Sequence, residues 1–329
     1  MRVLIVKLSS LGDVVHAMPV VHDIRLANPG ATVDWVVEPG FAPLVRRVEG
    51  IGEVIECAQR RWRKAWWTAS VRAEWRAFKA RLQRERYDAV IDLQGLTKSA
   101  VIARLAAGPS FGLANRTEGS GYERPAAWLV DHAIRVEPHI HAVDRSRVLA
   151  GAALGFRPEG PPRYGLRAAR ASALAAGQGE RPALVFVHGT SRADKLWPEE
   201  RWVELGRRAI AEGWRIVLPH AGDEERTRAE SIASALGADA EVWPAMPLDA
   251  LVDRLGATQG VIGVDSGLSH IAVALGLPHV QIYNFPTAWR TGPLAAHGHR
   301  HQEAVVDAAV PSVDLVWSAW GRVYRAGAR

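Results

Sequence analysis

The chain has 329 residues, 48% hydrophobic and 23% charged, a globular composition long enough for two cores rather than one. Forty-one Lys and Arg against 35 Asp and Glu leave a formal charge of +6, which favours anionic partners such as nucleotide, nucleic acid, phosphorylated lipid or an anionic membrane. No window offers about 18 uninterrupted apolar residues, so a membrane-spanning helix is not expected.

The N-terminus opens on a buried strand, Val3–Val6, closed by Lys7 and too short for the apolar core of a secretory signal. Strands are predicted next at Thr32–Val37, Val54–Cys57 and Ala89–Leu93, with helices after most of them. Cys57 is the single cysteine, which excludes an internal disulfide and a multi-thiolate metal site and fits a reducing cytoplasm. The prolines and glycine of Phe156–Arg163 suit neither helix nor strand and make a linker. Beyond it, strands are predicted at Ala183–His188, Arg215–Pro219, Ala240–Trp243, Gly260–Val264 and His279–Tyr283. Continuous apolar strands alternating with amphipathic helices predict an α/β fold of parallel sheets covered on both faces. Two Rossmann-like domains follow, residues 1–160 and 161–329, with the last helical pattern, Val313–Tyr324, packing back on the N-terminal domain.

A dinucleotide fold would carry G-x-G-x-x-G after a strand; neither that motif nor G-x-x-x-x-G-K occurs. The first strand is followed instead by Lys7-Leu8-Ser9-Ser10-Leu11-Gly12-Asp13. Asp13 has two readings, a helix cap or a general base at the carboxyl edge of a parallel sheet, where ligands of such folds bind. A helix start keeps a carboxylate ionised, and such a base suffices for a hydroxyl that loses its proton late, while bonding to an electrophilic carbon. Gly263-Val264-Asp265-Ser266-Gly267-Leu268-Ser269-His270 ends another strand and opens another helix. Its free amides suit a diphosphate, with Gly267 allowing close approach and Ser266 and His270 adding donors; simple capping is the competing reading. In His188-Gly189-Thr190-Ser191-Arg192-Ala193-Asp194-Lys195, hydroxyls and Lys195 can grip phosphate, against the plainer reading of a solvated loop.

Arg60-Arg61-Trp62-Arg63-Lys64-Ala65-Trp66-Trp67 mixes cations with indoles, as an anionic lipid surface or phosphates would require, with nucleic acid as the competitor. The following helix, Ser70–Arg86, carries an apolar stripe of Val71, Trp75, Phe78 and Leu82, read as core packing. His297-Gly298-His299-Arg300-His301 contains no carboxylate or thiolate, so no metal site is expected there. Nor does any Asp lie two residues from another, which leaves diphosphate binding to backbone and basic groups.

Together "MRVLIVKLSSLGDVVHAMP", "VDWVVEPGF", "RRWRKAWW", "YDAVIDLQGLTKSA", "DKLWPEERW" and "GVDSGLSHIAVAL" resemble the lipopolysaccharide heptosyltransferases, the type I branch most closely, nearly end to end. The resemblance implies a GT-B fold, two facing Rossmann-like domains with the active site in the cleft. It implies inverting transfer of L-glycero-D-manno-heptose from ADP-heptose to the inner Kdo of Kdo-lipid A, without cofactor or metal. Asp13 then matches the catalytic base. Thr190, Ser191, Lys195, Glu225, Met246, Asp265, Ser266, Gly267, Leu268 and His270 match donor positions, with Lys195 also stabilising the departing ADP. Arg60, Arg61, Arg63 and Lys64, joined by Lys98 and Arg124, match the acceptor cluster. A cytoplasmic protein peripheral on the inner membrane, with no nucleic-acid partner, is the implied setting. The loop Tyr283-Asn284-Phe285-Pro286-Thr287 departs from the family's Y-G-P-T, and no contact is assigned to it. The alternatives are another GT-B transferase of different sugar or acceptor, and a non-enzymatic basic scaffold.

Overall fold

The computed structural model describes residues 1–169 and 181–327, in two compact units, Met1–Arg167 and Ala168–Arg329. The N-terminal unit holds β1 (Arg2–Val6), β2 (Thr32–Val37), β3 (Ile51–Glu56), β4 (Ala89–Asp92), β5 (Ser110–Leu113) and β6 (His132–Ile134). They form one parallel sheet in the order β3-β2-β1-β4-β5-β6. The C-terminal unit holds β7 (Ala183–Val187), β8 (Arg215–Leu218), β9 (Ala240–Val242), β10 (Gly260–Val264), β11 (His279–Tyr283) and β12 (Gln302–Val306). Its sheet, also parallel, runs β12-β11-β10-β7-β8-β9. Counted from its own first strand, each sheet has the doubly wound Rossmann order, reversing between β1 and β4 in one and between β7 and β10 in the other. The expectation of two Rossmann-like parallel sheets is met in both halves.

Sequence and burial agree where the strands are central. Val3, Leu4, Ile5 and Val6 of β1 are fully buried, and so are Leu184, Val185 and Phe186 of β7, as strands covered by helices on both faces must be. Three strands escaped prediction. Two of them, β6 and β12, lie at sheet edges, where one side needs no apolar cover; the third, β5, is short and interrupted by Gly112.

The unit boundary falls after Arg167, later than the expected 160. Arg147, itself tied to Asp23 by hydrogen bonds of 2.7 and 3.0 Å, donates to the carbonyls of Glu159 and Gly160. Leu166 then bridges to Val48, and Glu49 N donates to Gly165 O at 2.8 Å, holding this stretch on the first unit. The final helix, Val313–Gly327, expected on the N-terminal domain, sets Val316, Ala319, Trp320 and Val323 into the C-terminal unit's own core beside Phe186 and Trp202. Most tryptophans are core residues too: Trp35, Trp62, Trp197, Trp202, Trp214, Trp243 and Trp320 are buried.

Candidate functional site

In the N-terminal unit the switch point lies between the carboxyl ends of β1 and β4. Ser10 caps helix Leu11–Ala17, and Asp13, in its first turn, reaches back to accept from Ser10 N at 3.2 Å and Ser10 Oγ at 2.7 Å. Asp13 is thus part of the cap without being the capping residue, and its carboxylate keeps a free edge, with 39% of the side chain exposed. Lys7, at the end of β1, is buried with its Nζ 3.5 Å from Asp13 Oδ1 and donating to Leu93 O at 3.1 Å. Arg145 approaches the same oxygen at 3.9 Å from helix Ala142–Leu154, braced by Thr117 Oγ1 at 3.1 Å. Burial pushes the Asp13 carboxyl upward, but the Lys7 ammonium, the Ser10 donors and the Arg145 guanidinium outweigh it and hold the group at about 2.

Below this pair lies Asp92, at the end of β4. It accepts from the amides of Gln94 (2.8 Å) and Gly95 (3.3 Å) and from Ser99 Oγ (3.0 Å). Burial nevertheless pushes its carboxyl up to about 6. Burial likewise lowers the Lys7 ammonium, with Asp13 and Asp92 opposing and Arg145 assisting. Gln94 completes the floor by accepting from Leu8 N and Ser9 N at 3.0 and 3.3 Å, which fixes the turn that carries Asp13.

The C-terminal unit repeats the arrangement between β7 and β10. Lys195 Nζ sits 2.5 Å from Asp265 Oδ2, and His270 Nε2 lies 3.3 Å from Oδ1. Burial raises the Asp265 carboxyl; the hydrogen bond and charge of His270, with Lys195, hold it far below the ordinary carboxylate range. Thr190 Oγ1 donates to Asp265 O at 3.1 Å, joining the β7 and β10 loops. Ser266 caps helix Gly267–Ala274 through Ser269 N, and the amides of Gly267 and Leu268 precede the first intrahelical acceptor, the geometry that receives an anion. Glu225 lies against the turn after β7: a Cβ on Gly189 would come within 2.5 Å of its carboxylate, so glycine is what permits the approach. Glu225 is anchored by Ala221 N at 2.8 Å. Ser191 is exposed on the same loop, while Met246 is half-buried in the loop after β9 and enters none of these polar contacts.

Of the basic cluster, Arg60, Arg63 and Lys64 are exposed on the short helix Gln59–Lys64. Arg61 is spent otherwise, in a bidentate pair with Glu74 that also takes Trp62 Nε1 at 2.8 Å. Lys98 stands near Cys57 and Glu123, acting electrostatically on both, and Arg124 starts helix Arg124–Leu129. The stripe on helix Ala69–Leu82 packs as expected: Val71, Phe78 and Leu82 are buried and Trp75 stacks into the same group.

Sequence reasoning missed Lys7, Asp92, Arg145 and the loop after β11. The signal for Lys7 is an isolated cation at the end of an apolar strand, six residues before Asp13. Asn284 Nδ2 donates to Asp194 O and Leu196 O at 3.1 and 2.9 Å, pinning the loop that carries Lys195. Tyr283 bonds Thr291 at 3.0 Å, and Thr291 reaches Asp265 Oδ1 at 3.5 Å.

An ionised carboxylate at one switch point and a lysine beside a helix start at the other suit a group-transfer enzyme of the GT-B class. The solved structure of the Escherichia coli heptosyltransferase WaaC with ADP superposes with a TM-score of 0.83 at 36% identity, covering 99% of this chain and 98% of that one. Lipopolysaccharide heptosyltransferase 1 of Escherichia coli K12 is 41% identical over 86% of this chain and 88% of its own length. The Pseudomonas aeruginosa enzyme of the same name is 41% identical over 86% and 78%. Residues 75–304 match the model of glycosyltransferase family 9 (heptosyltransferase), and the chain belongs to that family. No helix among the described residues is long and apolar enough to cross a membrane.

Proposed function

We propose that the protein transfers L-glycero-D-manno-heptose from ADP-heptose to the inner Kdo of Kdo-lipid A, with inversion, as a peripheral protein on the cytoplasmic face of the inner membrane. The observation that carries this reading is Asp13, ionised and partly exposed at a sheet switch point with two cations behind it. The acceptor oxygen bonds to the anomeric carbon as the bond from that carbon to the β-phosphate oxygen breaks. The electron pair leaves on ADP and the hydroxyl proton passes to Asp13. A carboxylate of such low basicity serves because the hydroxyl becomes acidic only as its new bond forms. Lys195 and the Gly267 and Leu268 amides meet the charge growing on the diphosphate. Thr190, Ser191, Glu225, Met246 and His270 line the donor's place; Arg60, Arg63, Lys64, Lys98 and Arg124 receive the anionic acceptor, with Arg61 fastening their helix.

The test is ADP release from ADP-L-glycero-D-manno-heptose, with and without Kdo-lipid A. Release should require the acceptor and fall by about 10²–10⁴-fold in Asp13→Ala, with donor affinity nearly unchanged. Loss of donor affinity with turnover retained would refute the assignment of the base. No release from any combination would send the search to other donors and acceptors.

A further inference from the structure

We propose that Trp66 and Trp67, with the cations beside them, form an interfacial anchor that seats the N-terminal unit on an anionic bilayer; this deepens the membrane setting proposed above and rests on it. The structure splits the tryptophans of one short segment into two kinds. Trp62 is buried, packed edge-on against Trp75 (5.6 Å) and tilted on Phe78 (5.3 Å), with its Nε1 held by Glu74. Trp66 and Trp67 are instead 66% and 60% exposed, their rings in edge contact at 6.4 Å. Thr68 then caps helix Ala69–Leu82, accepting from Val71 N at 3.3 Å. The indole pair is therefore held out by a fastened base on either side.

Trp128 is exposed too, at 78%, but only Trp66 and Trp67 are exposed tryptophans adjacent in the chain, and two adjacent large indoles left in water make an apolar patch that calls for a partner. Indole suits the bilayer interface, where the ring meets acyl chain and the N–H meets the headgroup. The charge around the pair has the complementary sign. From Cys57 to Ala73 there are five basic residues, Arg60, Arg61, Arg63, Lys64 and Arg72, and no acidic one. The next carboxylate, Glu74, is already committed to Arg61 and Trp62. Arg60, Arg63, Lys64 and Arg72 are exposed and in no ion pair among the described residues. Basic residues next to a membrane surface add attraction to anionic lipid, and an apolar wedge makes that attraction stable where either alone is marginal. Neither indole belongs to the polar network that receives the acceptor's charges, so their loss should separate membrane seating from chemistry.

The experiment measures co-sedimentation with phosphatidylcholine vesicles, with and without phosphatidylglycerol, for wild type and the double variant Trp66→Ala/Trp67→Ala. Wild type should be retained on the phosphatidylglycerol vesicles and the variant at least about tenfold less, with far-ultraviolet circular dichroism unchanged. ADP release with a water-soluble, deacylated Kdo acceptor should match wild type in the same variant. Equal retention of both proteins would overturn the proposal. So would a loss on the deacylated acceptor equal to the loss on vesicles, which would give the indoles to the acceptor sugar. Displacement of the vesicles by single-stranded RNA that binds through the same two indoles would overturn it in favour of base stacking. Because retention is read without any sugar donor, failure of the transferase reading would leave this result interpretable.

Discussion

The two halves share one topology and place a lysine–aspartate pair at the same point of it, yet they expose opposite members. In the N-terminal unit the Lys7 side chain is 2% exposed and that of Asp13 is 39% exposed. In the C-terminal unit Lys195 is 20% exposed and Asp265 is 6% exposed. The member left accessible is the one that the proposed function turns toward a ligand. Asp13 can accept a proton from an acceptor hydroxyl, with Lys7 behind it keeping it ionised. Lys195 can meet a phosphate, with Asp265 and His270 behind it fixing its position. On that reading one scaffold supplies a base or a cation according to which partner of the pair is buried.

After Asp13→Ala, Lys195→Met gives the largest effect on this contrast. It should lower turnover by about 10²–10³-fold and raise the KM for the ADP-sugar, since on the proposed reading it removes the charge that meets the diphosphate. If its kinetics instead copied those of Asp13→Ala, with donor binding untouched, the division of labour between the halves would be wrong.

The buried acids should also differ in the sign of their effect on stability. Asp92 is raised from the ordinary carboxylate range to about 6, so the unfolded chain gives up this proton more readily. Its contribution is present below the unfolded value near 4 and is lost as pH rises through about 6. Asp265 is depressed, so its contribution is present above the unfolded value and is lost on acidification. Urea unfolding of Asp92→Asn should therefore lack a decline of about 1–3 kcal/mol that wild type shows between about pH 4 and 7. An unchanged slope in the variant would place the proton uptake elsewhere.

Lys7→Met sharpens the N-terminal side with the smallest effect. Without the buried ammonium, burial is opposed only by Ser10 and Arg145, and the Asp13 carboxyl should climb toward or past its ordinary range. The wild-type rate should be flat down to about pH 4, whereas the variant should acquire an acid limb above that point. Identical profiles would show that Arg145 and Ser10 suffice.

Much of this was legible along the chain, and for definite reasons. Central strands such as Val3–Val6 and Gly260–Val264 are apolar on both faces because helices cover both, so they announce themselves without a partner. Turns that bind ligands follow those strands directly, which is why Asp13, Thr190, Lys195, Asp265 and Ser266 stood out from local pattern. The edge strands β6 and β12 carry solvated residues, the exposed His132 and the half-buried Glu303, and lose that signature.

What sequence alone determined is the alternation of strands and helices, and with it the two Rossmann halves and the positions of their first and fourth turns. Tertiary structure decided which charges face each other. Arg145 meets Asp13, and Asp92 sits beneath Lys7, only because β1, β4 and helix Ala142–Leu154 converge at one switch point. It also decided that Arg61 is a structural pair while Arg63 has no ion pair among the described residues, and that Trp62 is core while Trp66 is surface. Local pattern records periodicity and turn chemistry; burial and pairing depend on neighbours distant in the chain, and those set both the pKa of a carboxylate and the exposure of an indole.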